Sequence, residues 1–153
     1  MEISYTLNGG SRRATIAHNR LLLDFLREDE GLTGAKRSCE VQVCGACTVL
    51  LDGLPVSSCC TLAADADGRD LLTIEGLAEL PEFARLEEAF TGHAAVQCGF
   101  CTPALLLTVH SLLAAGGPHD EAELRRNLAG NICRCTGYKS ILEAVSELTG
   151  TFA

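Results

Sequence analysis

Nine cysteines stand in a chain of 153 residues, and eight of them fall into two sets of four. The first set is Cys39, Cys44 and Cys47, completed by Cys59 or its neighbour Cys60. The second is Cys98, Cys101, Cys133 and Cys135. Thiolates gathered in this way hold soft metal centres or carry redox chemistry. A disulfide framework is the poorer reading, because the count is odd and Cys59-Cys60 and Cys133-Arg134-Cys135 lie too close together to suit one. The start of the chain, Met1-Glu2-Ile3-Ser4, carries no secretory signal, and no apolar export segment follows Arg12-Arg13. A cytoplasmic location is expected, where thiols stay reduced.

Cys39-x4-Cys44-x2-Cys47 is the plant-type spacing for a [2Fe–2S] cluster. Three thiolates on a tight loop can wrap one side of a compact cluster, and a fourth arrives from a neighbouring strand. Gly45 lets the backbone approach closely, and loop N–H groups can donate to sulfur and tune the potential. On a strand, Cys59 and Cys60 would point to opposite faces, so only one can serve, and spacing does not choose between them. Cys98-x2-Cys101 is expected on the turn into an apolar helix, whose N-terminus favours thiolate. Cys133-x-Cys135 is expected on the turn before the last helix. Two such turns facing each other make a four-thiolate site. Zinc is the rival occupant of four thiolates. The x4, x2 trio argues for iron at the first site, while Cys-x2-Cys is generic and leaves the second open.

The elements that must position these thiols change texture midway. Ile3, Tyr5 and Leu7 alternate with polar residues, Asn8-Gly9 offers a hairpin turn, and Ala14 and Ile16 suggest the return strand. A short helix is expected over Leu22–Glu28, capped by Asn19 and ended near Gly31. A loop from Thr33 to Gly45 carries the first cysteines. Cys47–Leu51 reads as a strand, Asp52-Gly53 as a tight turn, Val56–Cys59 as the partner strand, and Leu71–Ile74 as a final strand. Beyond Gly76 the periodicity is helical. Phe83, Leu86, Ala89 and Phe90 share a face. Thr102-Pro103 reads as a cap with proline at the first helical position, opening a helix that stops at Gly116-Gly117-Pro118. Asp120-Glu121-Ala122-Glu123 resembles a capping box, and Ile141, Leu142, Val145 and Leu148 line a last helix. The expectation is α+β: a strand-rich domain over 1–76 and a helical domain over 77–153. Halves this small bury limited core, so a cluster in each would act as a staple.

Twelve basic against twenty acidic residues leave a net charge of −8, which disfavours nucleic acid and anionic membranes as partners. No apolar run approaches the length of a membrane span. His18, His93, His110 and His119 are scattered and read as surface or helix-face residues. Glu28-Asp29-Glu30 reads as a solvated helix end. No nucleophile–base pattern and no phosphate-cradling glycine loop stands out, so no catalytic residue is assigned.

Five stretches carry a resemblance over nearly the whole chain, from about Ile3 to Leu148. They are Leu32-Thr33-Gly34, Cys44-Gly45-Ala46-Cys47-Thr48-Val49, Thr73-Ile74-Glu75-Gly76, Gln97-Cys98-Gly99-Phe100-Cys101-Thr102-Pro103, and Gly130-Asn131-Ile132-Cys133-Arg134-Cys135-Thr136-Gly137-Tyr138. With them the chain resembles the small iron–sulfur subunit of the molybdenum hydroxylases, the xanthine dehydrogenase and carbon monoxide dehydrogenase group. The resemblance implies a plant-ferredoxin-like (β-grasp) domain followed by a four-helix bundle, each holding a [2Fe–2S] cluster. Asp52-Gly53-Leu54-Pro55-Val56-Ser57-Ser58-Cys59 matches the family pattern that assigns Cys59, rather than Cys60, to the first cluster. It further implies electron relay from a large molybdopterin-binding subunit to a medium FAD-binding subunit, in a dimer of heterotrimers. Gln97 and Cys135 would approach the molybdopterin, and the loop around Cys44 would face the flavin. Three departures stand out: Ser38 where the family usually has glycine, Val41-Gln42-Val43 in a loop commonly glycine-rich, and Ala104 where glycine often follows Thr-Pro.

Two rival functions follow from the residues. A free-standing ferredoxin would not need the helical half, and a zinc-bound structural adaptor would be colourless.

Overall fold

Alternation of Ile3, Tyr5 and Leu7 with polar neighbours builds strand β1 (Glu2–Leu7), one face buried and the other wet. Asn8 and Gly9 both take positive φ, 51° and 79°, the mirror-image turn whose twist suits a two-residue hairpin. The chain returns as β2 (Gly10–Thr15), with Ile3 opposite Ala14. Asp52 and Gly53 make the same kind of turn between β3 (Thr48–Leu51) and β4 (Leu54–Ser57). Strand β5 (Asp70–Leu72) slots between the hairpins, parallel to β1 and antiparallel to β3, so the sheet order is β2-β1-β5-β3-β4. This computed structural model describes residues 1–116 and 120–150.

The expected helix after Asn19 is a single α-turn, α1 (Leu22–Asp24), that widens into a π-turn over Phe25–Asp29. In it Phe25 meets the Tyr5 ring edge-on at 5.5 Å between centroids, and Glu30 accepts from the Tyr5 hydroxyl. The acidic run is therefore more than a solvated end. Arg20 pairs with Glu28 and Asp29, both at 2.9 Å, and Glu30 is spoken for by Tyr5.

A short helix α2 (Ile74–Leu77) takes the place of the end of the expected last strand and joins the sheet to the helices. Asn8 anchors that joint, accepting from Thr73 N at 2.9 Å and donating to Thr73 Oγ1 at 3.0 Å. Helices α3 (Phe83–Gly92), α4 (Thr102–Ala115), α5 (Glu121–Leu128) and α6 (Lys139–Thr149) follow. The N-cap of α4 is Cys101, so Thr102 is its first helical residue and Pro103 its second. Asp120 caps α5 by accepting from Glu123 N at 2.7 Å. Gly116 ends α4 at φ 63°, while Gly117, Pro118 and His119 lie outside the described residues.

Strand β3 is buried on both faces. Val49 and Leu51 join Ile3, Leu22 and Phe25 in one core, while Leu50 joins Leu86, Leu105 and Val145 in the other. The sheet thus carries α1 and the π-turn on one side and α4 on the other, an α+β arrangement. Among the described residues no helix is long and apolar enough to cross a membrane.

Candidate metal centres

The first loop curls because Glu40 and Gln42 both sit at positive φ, 57° and 58°, where side chains are ordinarily disfavoured. That curl turns N–H groups inward: Val43 N and Cys44 N each donate to Cys39 Sγ at 3.4 Å. The N–H groups of Val41, Cys44 and Val43 together pull the Cys39 thiol down to about 6. Arg37 braces the approach to the loop, reaching Asp24 at 2.5 Å and Glu40 at 2.7 Å.

The fourth thiol departs from the strand expected for it. β4 ends at Ser57, and residues Ser58–Cys60 form a 3₁₀ turn. Buried Ser58 donates to the Cys47 carbonyl at 2.7 Å, which brings Cys59 against Cys47. Adjacent residues of a tight turn do not alternate across a sheet, so Cys59 Sγ and Cys60 Sγ lie only 3.7 Å apart. Burial separates them instead: Cys59 is buried and Cys60 exposed. Burial also pushes the Cys47 thiol up to about 11.

The second set closes from two turns. Cys98 meets Cys135 on the exposed side, and Cys101 meets Cys133 within. The helix N-terminus was expected to favour thiolate at Cys101, but burial and then the Cys133 contact push it up to about 12. Desolvation wins there. At Cys133 burial opposes the thiolate too, yet the Thr136 hydroxyl and the N–H groups of Thr136 and Cys135 bring the net shift down. Thr136 Oγ1 donates to Cys133 Sγ at 3.1 Å. Tyr138, at φ 67° before α6, sends its hydroxyl back to donate to Asn131 O and accept from Cys133 N, both at 3.0 Å. Gln97 is exposed beside Cys98.

Where the two loops touch, no room is left. A Cβ on Gly45 (φ 65°) would overlap the Gly130 carbonyl and the Asn131 carboxamide. Ile132 N donates to the Cys44 carbonyl at 2.8 Å, so one hydrogen bond joins a first-set cysteine to the residue before Cys133.

Each set comprises thiols only, all nine cysteines being free, with backbone and hydroxyl donors aimed at Cys39 and Cys133. Within each set the side chains interact two by two, Cys39 with Cys44, Cys47 with Cys59, Cys98 with Cys135 and Cys101 with Cys133, and Cys59 Sγ also lies 3.7 Å from Cys60 Sγ. A [2Fe–2S] cluster asks each iron for two thiolates, whereas structural zinc asks four of one centre. The donor sets fit two such clusters.

Asn131, Tyr138, Thr136 and Ser58 received no role from sequence. Three of them lie in the Gly130–Tyr138 stretch around Cys133, and Ser58 adjoins Cys59, so the signals available were proximity to a cysteine and membership of stretches that carry the family resemblance.

Comparison with known proteins agrees with this chemistry. Residues 73–146 match the family model described as [2Fe-2S] binding domain, and residues 17–85 match 2Fe-2S iron-sulfur cluster binding domain. These matches and the thiol sets define an iron–sulfur protein with two [2Fe–2S] clusters. The chain is 46% identical over 150 residues to the nicotine 6-hydroxylase small subunit of Paenarthrobacter nicotinovorans, spanning 98% of this chain and 90% of that one. It is 42% identical to the xanthine dehydrogenase iron-sulfur-binding subunit of Escherichia coli O157:H7, over 97% and 94% of the two chains. In the crystal structure of quinoline 2-oxidoreductase from Pseudomonas putida 86, a chain superposes with a TM-score of 0.90 at 44% identity, covering 99% of this chain and 93% of that one. The chain belongs to the small iron–sulfur subunits of the molybdenum hydroxylases, the non-catalytic, electron-transferring component of multi-subunit oxidoreductases.

Proposed function

We propose that this chain relays single electrons from a molybdopterin site in a large partner subunit to FAD in a medium subunit. The observation that carries the reading is the pairing of eight thiols in two sets whose loops are joined by the Ile132–Cys44 hydrogen bond. Cys39, Cys44, Cys47 and Cys59 hold the first [2Fe–2S] cluster, and Cys98, Cys101, Cys133 and Cys135 the second. Each cluster, when bound, takes up and gives back one electron, which is what a link between two-electron centres needs.

The chain's own residues do the rest. N–H groups of the first loop and the Thr136 hydroxyl stabilise charge on sulfur. Burial of Cys47, Cys59, Cys101 and Cys133 keeps water from the inner sides, while Cys98 and Cys135 remain exposed toward a partner. Exposed Val96, Phe100 and Ile132 rim that second set, and exposed Val41 and Val43 rim the first, apolar surfaces suited to being covered in a complex. On this reading Gln97 and Cys135 approach the molybdopterin, and the loop around Cys44 faces the flavin.

We read residues 1–76 as a plant-ferredoxin-like β-grasp domain and 77–153 as a four-helix bundle; two buried cores support that reading, with Leu50 of β3 reaching across into the helical one. The assembly is a cytoplasmic dimer of heterotrimers. The test is serine substitution one set at a time in the chain purified without air. Cys44→Ser should abolish one paramagnetic resonance signal and spare the other, and Cys101→Ser should do the reverse. Two larger chains should co-purify. A lone chain with both signals would favour the free ferredoxin, and loss of both signals together would overturn the separate assignment.

A further inference from the structure

We propose that Asn131 is the positioning residue that sets electronic contact between the two cluster loops. The proposal rests on the relay reading above. Asn131 is 4% exposed, yet its side chain is fully engaged. Nδ2 donates to Gly45 O at 3.0 Å and to Thr48 Oγ1 at 3.1 Å, and Oδ1 lies 2.9 Å from Thr108 Oγ1, whose one proton it shares with Ala104 O at 3.0 Å. Its backbone is held as well, N donating to Leu128 O at 3.0 Å and O accepting from the Tyr138 hydroxyl at 3.0 Å. One residue therefore ties α4, the end of α5 and the start of α6 to the first loop.

The two partners of Nδ2 are informative. Gly45 follows Cys44 and Thr48 follows Cys47, so the carboxamide grips the loop directly behind two ligands of the first cluster. On the other side, Ile132 follows Asn131 and Cys133 follows Ile132. The Ile132 N–H to Cys44 carbonyl bond, 2.8 Å long, gives a route between those two sulfur-bearing residues with a single non-covalent step. Electron tunnelling falls steeply when a hydrogen bond opens into a through-space gap. With no space for a Cβ at Gly45, the loops already touch, and the carboxamide holds them in register. Only an amide side chain offers two donors and an acceptor here; aspartate keeps the acceptor and loses both donors.

The test uses the full chain purified with the subunits that accompany it, as Asn131→Asp and as Thr108→Val, which removes the hydroxyl that orients the carboxamide. Three quantities are read: iron content, the splitting that magnetic interaction between the two reduced clusters imposes on their resonance signals, and the rate at which one electron, injected from a photo-excited flavin, equilibrates between them. Asn131→Asp should keep iron and both signals, lose most of the splitting, and slow equilibration about tenfold, the lower range for groups behind metal ligands. Thr108→Val should move both readouts the same way by less. Parent-like splitting and rate in both variants would overturn the proposal. So would loss of iron from both, which would make Asn131 a plain structural residue. A parent chain without iron would instead sink the electron-carrier reading itself.

Discussion

Replacing Gly45 with alanine tests the close meeting of the two loops. Two costs add at this position. The backbone stands at φ 65°, where an L side chain costs about 1–2 kcal/mol. The new Cβ would also overlap the Gly130 carbonyl, which is backbone, and Asn131 Nδ2, which is held by its hydrogen bonds to Gly45 O and Thr48 Oγ1, so neither steps aside cheaply. Overpacking of this kind costs about 1–3 kcal/mol, so the sum is about 2–5 kcal/mol. Gly53→Ala is the matched control, with φ 78° and nothing within 4 Å of its Cβ, and it should lose only the backbone part. Urea unfolding without air, followed by cluster colour and circular dichroism, reads the difference. With a slope of about 2 kcal/mol per molar urea, Gly45→Ala should lower the midpoint by about 1–2.5 M and Gly53→Ala by about 0.5–1 M. Equal shifts for the two variants would refute the idea that the loops are packed against each other at Gly45.

Gln42→Gly relieves a side chain held at φ 58° and should raise stability by about 1 kcal/mol, read as a higher urea midpoint; an unchanged or lower midpoint would mean the side chain makes a compensating contact. In the metal-free chain, thiolate forms above each thiol's pKa, so alkylation of Cys39 should rise to half its plateau near pH 6, while Cys47, about 11, and Cys101, about 12, stay slow at neutral pH; peptide mapping of the labelled sites checks the order. Tyr138→Phe removes the hydroxyl shared by Cys133 N and Asn131 O and should cost about 1–3 kcal/mol, seen as faster chelator-driven loss of the second cluster's signal with the first unaffected.

Much of this was legible in residue order. Alternation marked β1, Asn8-Gly9 and Asp52-Gly53 marked both hairpins, and Asp120 marked the start of α5, because each is a local effect of backbone geometry. The features that escaped depend on contacts distant in sequence. The π-turn over Phe25–Asp29 goes with Tyr5, and the turn that carries Cys59 is drawn in by Ser58 reaching the Cys47 carbonyl. The pairing of Cys101 with Cys133 and the burial that raises it are likewise tertiary. Asn131 is the sharpest case. Nothing in its local sequence announces that its carboxamide will reach Gly45, 86 residues away.

Two [2Fe–2S] clusters on these eight thiols fix the metal content of the chain. The most direct test is to quantify iron, sulfide and zinc in the chain purified without air and record paramagnetic resonance after dithionite reduction. About four irons and four sulfides per chain with two distinct signals are expected. Stoichiometric zinc with no signal would contradict that assignment and leave a structural adaptor.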